Sequence, residues 1–251
     1  MKMMNALIWL RFKLLTKNKM FLFMALMPYI LVYLYGFMFD GDGHMSGLFI
    51  VNTCLSFSFA GSSLLMVLTT IAEDKEKYNL KTFILSGTGS FIYIFSSIIV
   101  PLILGVASVI LLPIITGVEF GENYYQYLLI SFFTLVIHIF LGLLIALFTD
   151  TQMNASLSSF PLLCISSVLP MIANGNDQVK KICDILYVGA QNNFFMKIIS
   201  GETLIFLTQD ISILVSWSIV LFALNIFLYK KAKKGGFSLR IKTFKKEEVS
   251  I

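Results

Sequence analysis

Long apolar runs broken by short polar links set the pattern of this chain. Six runs can each cross about 30 Å of hydrocarbon at roughly twenty residues apiece: residues 20–39, 47–72, 90–116, 124–148, 155–173 and 211–229. They predict an all-α polytopic membrane protein with a single transmembrane domain over 1–251. Ahead of them, residues 1–19 alternate with helical period. Met3, Met4, Leu7, Ile8, Leu10, Leu14 and Leu15 fall on one side, and Lys2, Asn5, Lys13, Thr16 and Lys17 on the other with Trp9 among them. That pattern predicts an amphipathic helix in the membrane interface. A signal peptide would have a shorter basic region and a small-residue cleavage site, and neither is present. Arg11 interrupts the apolar side, so it reaches out to lipid phosphate or pairs within the protein.

The polar links are unequal. Residues 73–86, EDKEKYNLKTFILS, hold six ionisable groups in their first nine positions, between two runs almost free of charge. Acids precede lysines, which suits the dipole of a helix starting at Glu73, and Glu73–Lys77 is an i,i+4 pair of the favourable order. Leu80, Phe83 and Ile84 give that helix an apolar side, and Gly87 and Gly89 end it. A cytoplasmic surface helix over 73–86 follows. Residues 149–154, TDTQMN, predict a tight turn. Residues 174–210 keep a helical recurrence (Val179, Ile182, Leu186, then Phe194, Phe195, Ile198, Ile199) broken at Gly189 and Gly201. Two short helices lying on, or dipping into, the outer leaflet are expected there. Residues 230–251 form a basic tail, an anchor to anionic lipid.

Charge orients the chain. The links after the first and third runs carry only acids (Asp40 and Asp42; Glu119 and Glu122). With both termini in the cytoplasm, five Lys or Arg lie in the head, three in 73–86 and eight in the tail, against Lys180, Lys181 and Lys197 outside. Sixteen against three is the bias that places both ends and the 73–86 segment in the cytoplasm.

Composition narrows the chemistry. Of 251 residues, 57% are hydrophobic and 13% charged, with mean hydropathy +0.85, and a soluble domain carries about 25% charged residues. The net charge of +5 is spread as a topology signal rather than as a nucleic-acid surface. Cys54, Cys164 and Cys183 lie in or near apolar runs and predict neither a disulfide framework nor a metal site. No G-x-x-x-x-G-K-[ST] occurs, so ATP hydrolysis by that route is not expected on this chain. His138, inside the fourth run, is an intramembrane ionisable group; it is a functional residue or a neutral histidine bonded to a neighbouring helix. Asn52, Ser56, Ser63 and Thr70 form a small polar stripe along the second run, which serves close helix packing or lines a translocation path. Nothing resembles a nucleophile–base pair. A membrane enzyme would need companions for His138 among acids or histidines in the spans. An ion-coupled carrier or channel would need buried carboxylates, whereas the fourteen acids lie outside the apolar cores or at their edges.

The order of features resembles the permease subunit of type-2 ABC exporters across essentially the whole chain. The strongest local likeness is IAEDKEKYNLKTFILS, 71–86, which is similar to the family's coupling segment in pattern; Tyr78-Asn79-Leu80-Lys81 departs from the family's Gly-Thr-Leu-Glu there. LYVGAQNNFFMKIISG, 186–201, is similar to the outer segment of small permeases that handle peptides. The resemblance implies a separate nucleotide-binding ATPase carrying ATP and Mg, and a second permease chain, alike or different. Glu73, Asp74, Glu76, Lys77, Tyr78 and Asn79, with Thr149, Asp150 and Gln152, would meet the ATPase. Arg11, Lys13 and Lys17 would sit on the N-terminal connecting helix. The second and fifth spans would face the partner permease. Amphipathic peptides such as bacteriocins, lantibiotics or toxins are the substrate class it favours, with drugs or lipid-linked glycans as the alternative.

Overall fold

The computed structural model describes residues 2–38, 44–201 and 208–235. Asp40 and Asp42, residues 202–207 and the tail from 236 onward lie outside the described residues. The described residues are overwhelmingly helical and hold no strand, as hydrocarbon demands of a backbone that must satisfy its own hydrogen bonds. Six helices are long and apolar enough to cross a membrane: Lys19–Met38, Gly47–Glu76, Ser90–Thr116, Gly121–Ala146, Gln152–Ala173 and Gln209–Lys230. The chain is a multi-pass membrane protein.

The N-terminal helix is α1 (Lys2–Lys17), followed at once by α2 (Lys19–Met38), the first span. The Asn18 side chain accepts the Met20 N–H at 3.0 Å and holds the corner between them. The second span has three parts: α3 (His44–Ser58), a π-helical segment (Phe59–Leu65) and α4 (Met66–Glu76). It is the axis of the molecule. Within its most apolar window 78% of residues are buried, against 17–44% for the other five spans. Ser58, Ala60, Ser62, Ser63, Thr69 and Ala72 explain this, because small side chains let neighbouring backbones approach and all six are buried. The second span is therefore mostly enclosed by this chain's own helices, whereas the fifth, 28% buried, keeps an open face.

The segment expected as one helix over 73–86 is two. Helix α4 runs on through Glu76, Tyr78 adopts a left-handed φ of 58°, and a seven-residue α5 (Asn79–Leu85) follows. The acids Glu73 and Asp74 thus belong to the end of a span and not to the start of a surface helix. The third span is α6 (Ser90–Thr116), ended by Gly117 at φ 68°, a conformation glycine adopts without strain. One 3₁₀ turn (Gly121–Asn123) leads into α7 (Tyr124–Ala146), the fourth span. Thr151 caps α8 (Gln152–Ala173), the fifth span, by accepting the Asn154 N–H at 3.3 Å, and Pro161 and Pro170 sit within the helix.

Two short helices precede the last span, as expected, and they differ. Helix α9 (Asp177–Ile185) lies at the surface with Lys180, Lys181, Ile182 and Ile185 exposed and only Cys183 fully buried. Helix α10 (Tyr187–Ile199) enters the bundle: Tyr187, Gln191, Asn192, Phe194 and Phe195 are all buried. The sixth span, α11 (Thr208–Gly235), packs on α7 and α10, with Asn225 Nδ2 donating to the Phe140 carbonyl at 3.0 Å. By connectivity α1, α5 and the α7–α8 turn share one end of the bundle, termed the near end. The 117–123 turn, α9 and α10 share the far end.

Candidate functional site at the charged near end

Three elements converge on Asp74. Its carboxylate accepts from Arg11 Nη2 of α1 at 2.5 Å, from Tyr93 OH of α6 at 2.9 Å and from Asn79 Nδ2 of α5 at 3.5 Å. Arg11 also donates to Ser97 Oγ at 3.2 Å, and its guanidinium lies 5.6 Å from the centre of the Tyr93 ring. The Arg11 and Asp74 side chains are 3% and 4% exposed. Arg11 stands on the inner stripe of α1, four residues after the buried Leu7. Of the two roles open to it, the structure selects the pair within the protein over lipid phosphate. Among the described residues its Nε and Nη1 atoms have no hydrogen-bond partner. A desolvated guanidinium with unused donors depends heavily on its one carboxylate.

This geometry corrects the role expected of Asp74. A carboxylate enclosed by α1, α5 and α6 is not offered to a partner chain. Glu73 is likewise turned inward and pairs with Lys77 at 2.6 Å, and that hydrogen bond raises the pKa of the lysine above its ordinary value.

Lys75 and Glu76 serve two other helix ends. Lys75 Nζ donates to the carbonyls of Ala146 at 2.5 Å and Thr149 at 2.9 Å, the negative end of α7. Glu76 Oε2 accepts the Gln152 N–H at 2.8 Å, the positive end of α8. Each charge sits where the helix dipole favours it and satisfies orphan backbone groups. The second span therefore staples both sides of the α7–α8 turn, in which Thr149 is buried and Asp150 exposed. Replacing Lys75 with Met should cost about 1.5–3 kcal/mol, the worth of hydrogen bonds from a charged donor. Amide hydrogen exchange should rise in 147–152 and stay unchanged in α9; protection retained at 147–152 would refute the staple.

What stays outward at the near end is smaller than the sequence suggests. Lys77, Tyr78 and Asn79 are exposed, as are Lys13 and Lys17 on α1. Tyr78 is 64% exposed, Leu85 77%, Phe148 68% and Met153 74%, so an apolar and aromatic rim surrounds the turn.

The polar residues of the spans are brought together inside the bundle. Asn52 donates to Asn192 Oδ1 at 3.1 Å and accepts from Gln191 Nε2 at 3.1 Å, and Gln191 also reaches Ser56 Oγ at 3.3 Å. Asn192 in turn donates to Asn174 at 2.8 Å. Ser63 contacts the Pro101 carbonyl at 3.4 Å, and Thr70 is buried. His138 Nδ1 lies 2.8 Å from the Thr134 carbonyl, which only accepts, so that nitrogen carries the proton. Its Nε2 lies 3.1 Å from Ser166 Oγ, which is itself 3.1 Å from Tyr187 OH. The hydrogen-bonded histidine is the reading the geometry meets. Asn52 and Ser56 tie α3 to α10, and Ser63 of the π segment meets α6.

Several of these partners escaped the sequence reading. Tyr93 and Ser97 sit at i,i+4 on the face of α6 turned to α1, yet nothing local marks them. The amide run Gln191-Asn192-Asn193 inside an apolar segment was a usable signal, since such groups are buried only when satisfied. No protein-family model, curated protein or solved structure matches this chain.

Proposed function

We propose that the chain is the transmembrane permease subunit of an ATP-driven exporter of the type-2 ABC kind, working with a separate ATPase that carries ATP and Mg and with a second permease chain. Both termini lie in the cytoplasm of a bacterial cell membrane, and the cargo is an amphipathic peptide. The observation that carries this reading is the near end itself. An exposed rim at Lys77, Tyr78, Asn79, Leu85 and Met153 stands on a base tied together by Asp74, Lys75 and Glu76. A force applied at that rim by a docked partner has a stiff route into the second, third, fourth and fifth spans and α1. A loose connector would absorb it. The basic bias of 73–86 and of both terminal segments supports the orientation.

The test follows from which side chains are free of internal duty. Reversing Asp74 would break the fold's own ion pair, so the informative variants are Tyr78→Ala and Lys77→Glu. Tyr78→Ala should leave abundance and thermal midpoint unchanged and weaken retention of the partner ATPase by about tenfold, as loss of a central aromatic anchor does. Wild-type pull-down and wild-type transport in both variants would end the docking assignment.

A further inference from the structure

At the far end a groove of about 490 Å³ opens between the end of α6 and the start of α7. That volume lies in the range of small-molecule sites, about 300–1,000 Å³. Its floor is apolar: Pro113, Val118 and Phe120 are buried, and Phe120 is fixed by a stacked contact with Tyr127 at 4.1 Å between ring centres. Its open sides are Ile110, Ile114 and Tyr124, which are 46%, 69% and 43% exposed. The positive φ of Gly117 and Gly121 folds the turn back so that Glu119 lines the same groove.

Two features give the groove a polarity. Ile103, Val106, Ile110 and Ile114 are spaced three, four and four apart, and all are exposed, so an apolar stripe runs up the lipid-facing side of α6 into the groove. Where the stripe ends, the charge is negative: Glu119 lines the groove, no Lys or Arg falls in 117–123, and the carboxyl end of the 27-residue α6 adds the negative pole of its dipole. The faces of Tyr124 and Phe120 favour a cation as well. A carboxylate beside an aromatic wall at the head of an aliphatic track is complementary to one chemical class.

We infer that this groove binds a cationic amphipath, an alkyl chain ending in an amine, with the chain along the Ile103–Ile114 stripe and the ammonium at Glu119. The site goes beyond the transport reading and stands or falls separately from it, because binding here requires no ATPase. An anionic lipid meets the wrong charge at Glu119.

The full chain in phosphatidylcholine nanodiscs is titrated with a dansyl-labelled dodecylamine and, in parallel, with its carboxylate counterpart. The amine should show saturable emission above that of nanodiscs without protein, and the carboxylate should not. Glu119→Gln should weaken the amine by about fivefold, the upper range for one exposed charge pair, and raising the salt should shrink that difference. Ile114→Asn should weaken it through the tail. Glu122→Gln, an exposed acid outside the groove, should leave it unchanged. Equal binding of both probes, equal loss in the Glu119 and Glu122 variants, or a signal no greater than that of protein-free nanodiscs would each overturn the site. Loss of ATPase copurification with amine binding intact would count against the exporter reading alone.

Discussion

Asp74→Ala should be among the most damaging single substitutions in the protein, lowering stability by about 3–5 kcal/mol, because it strands the Arg11 guanidinium in a buried site. Among the described residues, two donor atoms of Arg11 already lack partners, and Asp74 is the carboxylate that pairs with it. The reverse deletion, Arg11→Met, should cost less. Asp74 would still accept from Tyr93 OH at 2.9 Å and Asn79 Nδ2 at 3.5 Å, so its charge keeps two donors. The double variant should be less damaged than the sum of the two singles, since the second change removes the charge that the first exposed. Thermal unfolding in detergent gives the ranking, and hydrogen exchange gives the place: α1 should lose protection first, because Arg11 is its buried polar tie to α4 and α6. Equal costs for both singles, or strict additivity, would show that the pair is not the coupled unit its geometry describes.

That prediction rests on a contact between residues 63 apart in sequence, which marks where sequence reasoning reached its limit. The spans were legible, because each is a run of apolar residues long enough for hydrocarbon, and Ser90–Thr116 coincides with its expected limits. The N-terminal helix was legible as a helix from its two-sided pattern. The 73–86 segment was misread for a definite physical reason. Acids followed by lysines suit the dipole of a helix that begins at Glu73, but α4 ends at Glu76, where its own dipole disfavours acids. Glu76 is placed there for the start of α8, and Lys75 for the end of α7. Charge order within one segment cannot reveal a dipole belonging to another.

Which of the two short helices enters the bundle was hidden for a related reason. Gln191 and Asn192 look like the polar side of a surface helix until their partners Asn52, Ser56 and Asn174 are brought in from other helices. The stripe on the second span and the amide run in α10 were each visible alone. Their mutual satisfaction was not, because it is a property of the pair.

Gly142→Ala should be the most damaging alanine substitution among the span glycines, at about 1–3 kcal/mol, the cost of overpacking a tight contact. A Cβ there would stand 2.6 Å from the Leu64 carbonyl oxygen and 3.3 Å from the Leu64 C and Cα atoms. Those are backbone atoms of the π segment, so no rotamer change relieves them and the second and fourth spans must separate. Gly105→Ala should cost less. Its Cβ meets Leu135 Cδ1 at 2.3 Å and Ser63 Oγ at 2.9 Å, both ends of side chains that can turn away. Gly61, inside the π segment itself, has nothing within 4 Å of a built Cβ. Alanine there should be neutral or stabilising by up to about 1 kcal/mol, through the entropy that glycine loses in a helix. The order Gly142, Gly105, Gly61 in thermal midpoint is the measurement. A Gly61 variant worse than Gly142 would mean that the wide turn itself, and not its contact with the fourth span, sets the packing. Wild-type stability in Gly142→Ala would mean that the two spans do not approach as closely as Leu64 and Gly142 do here.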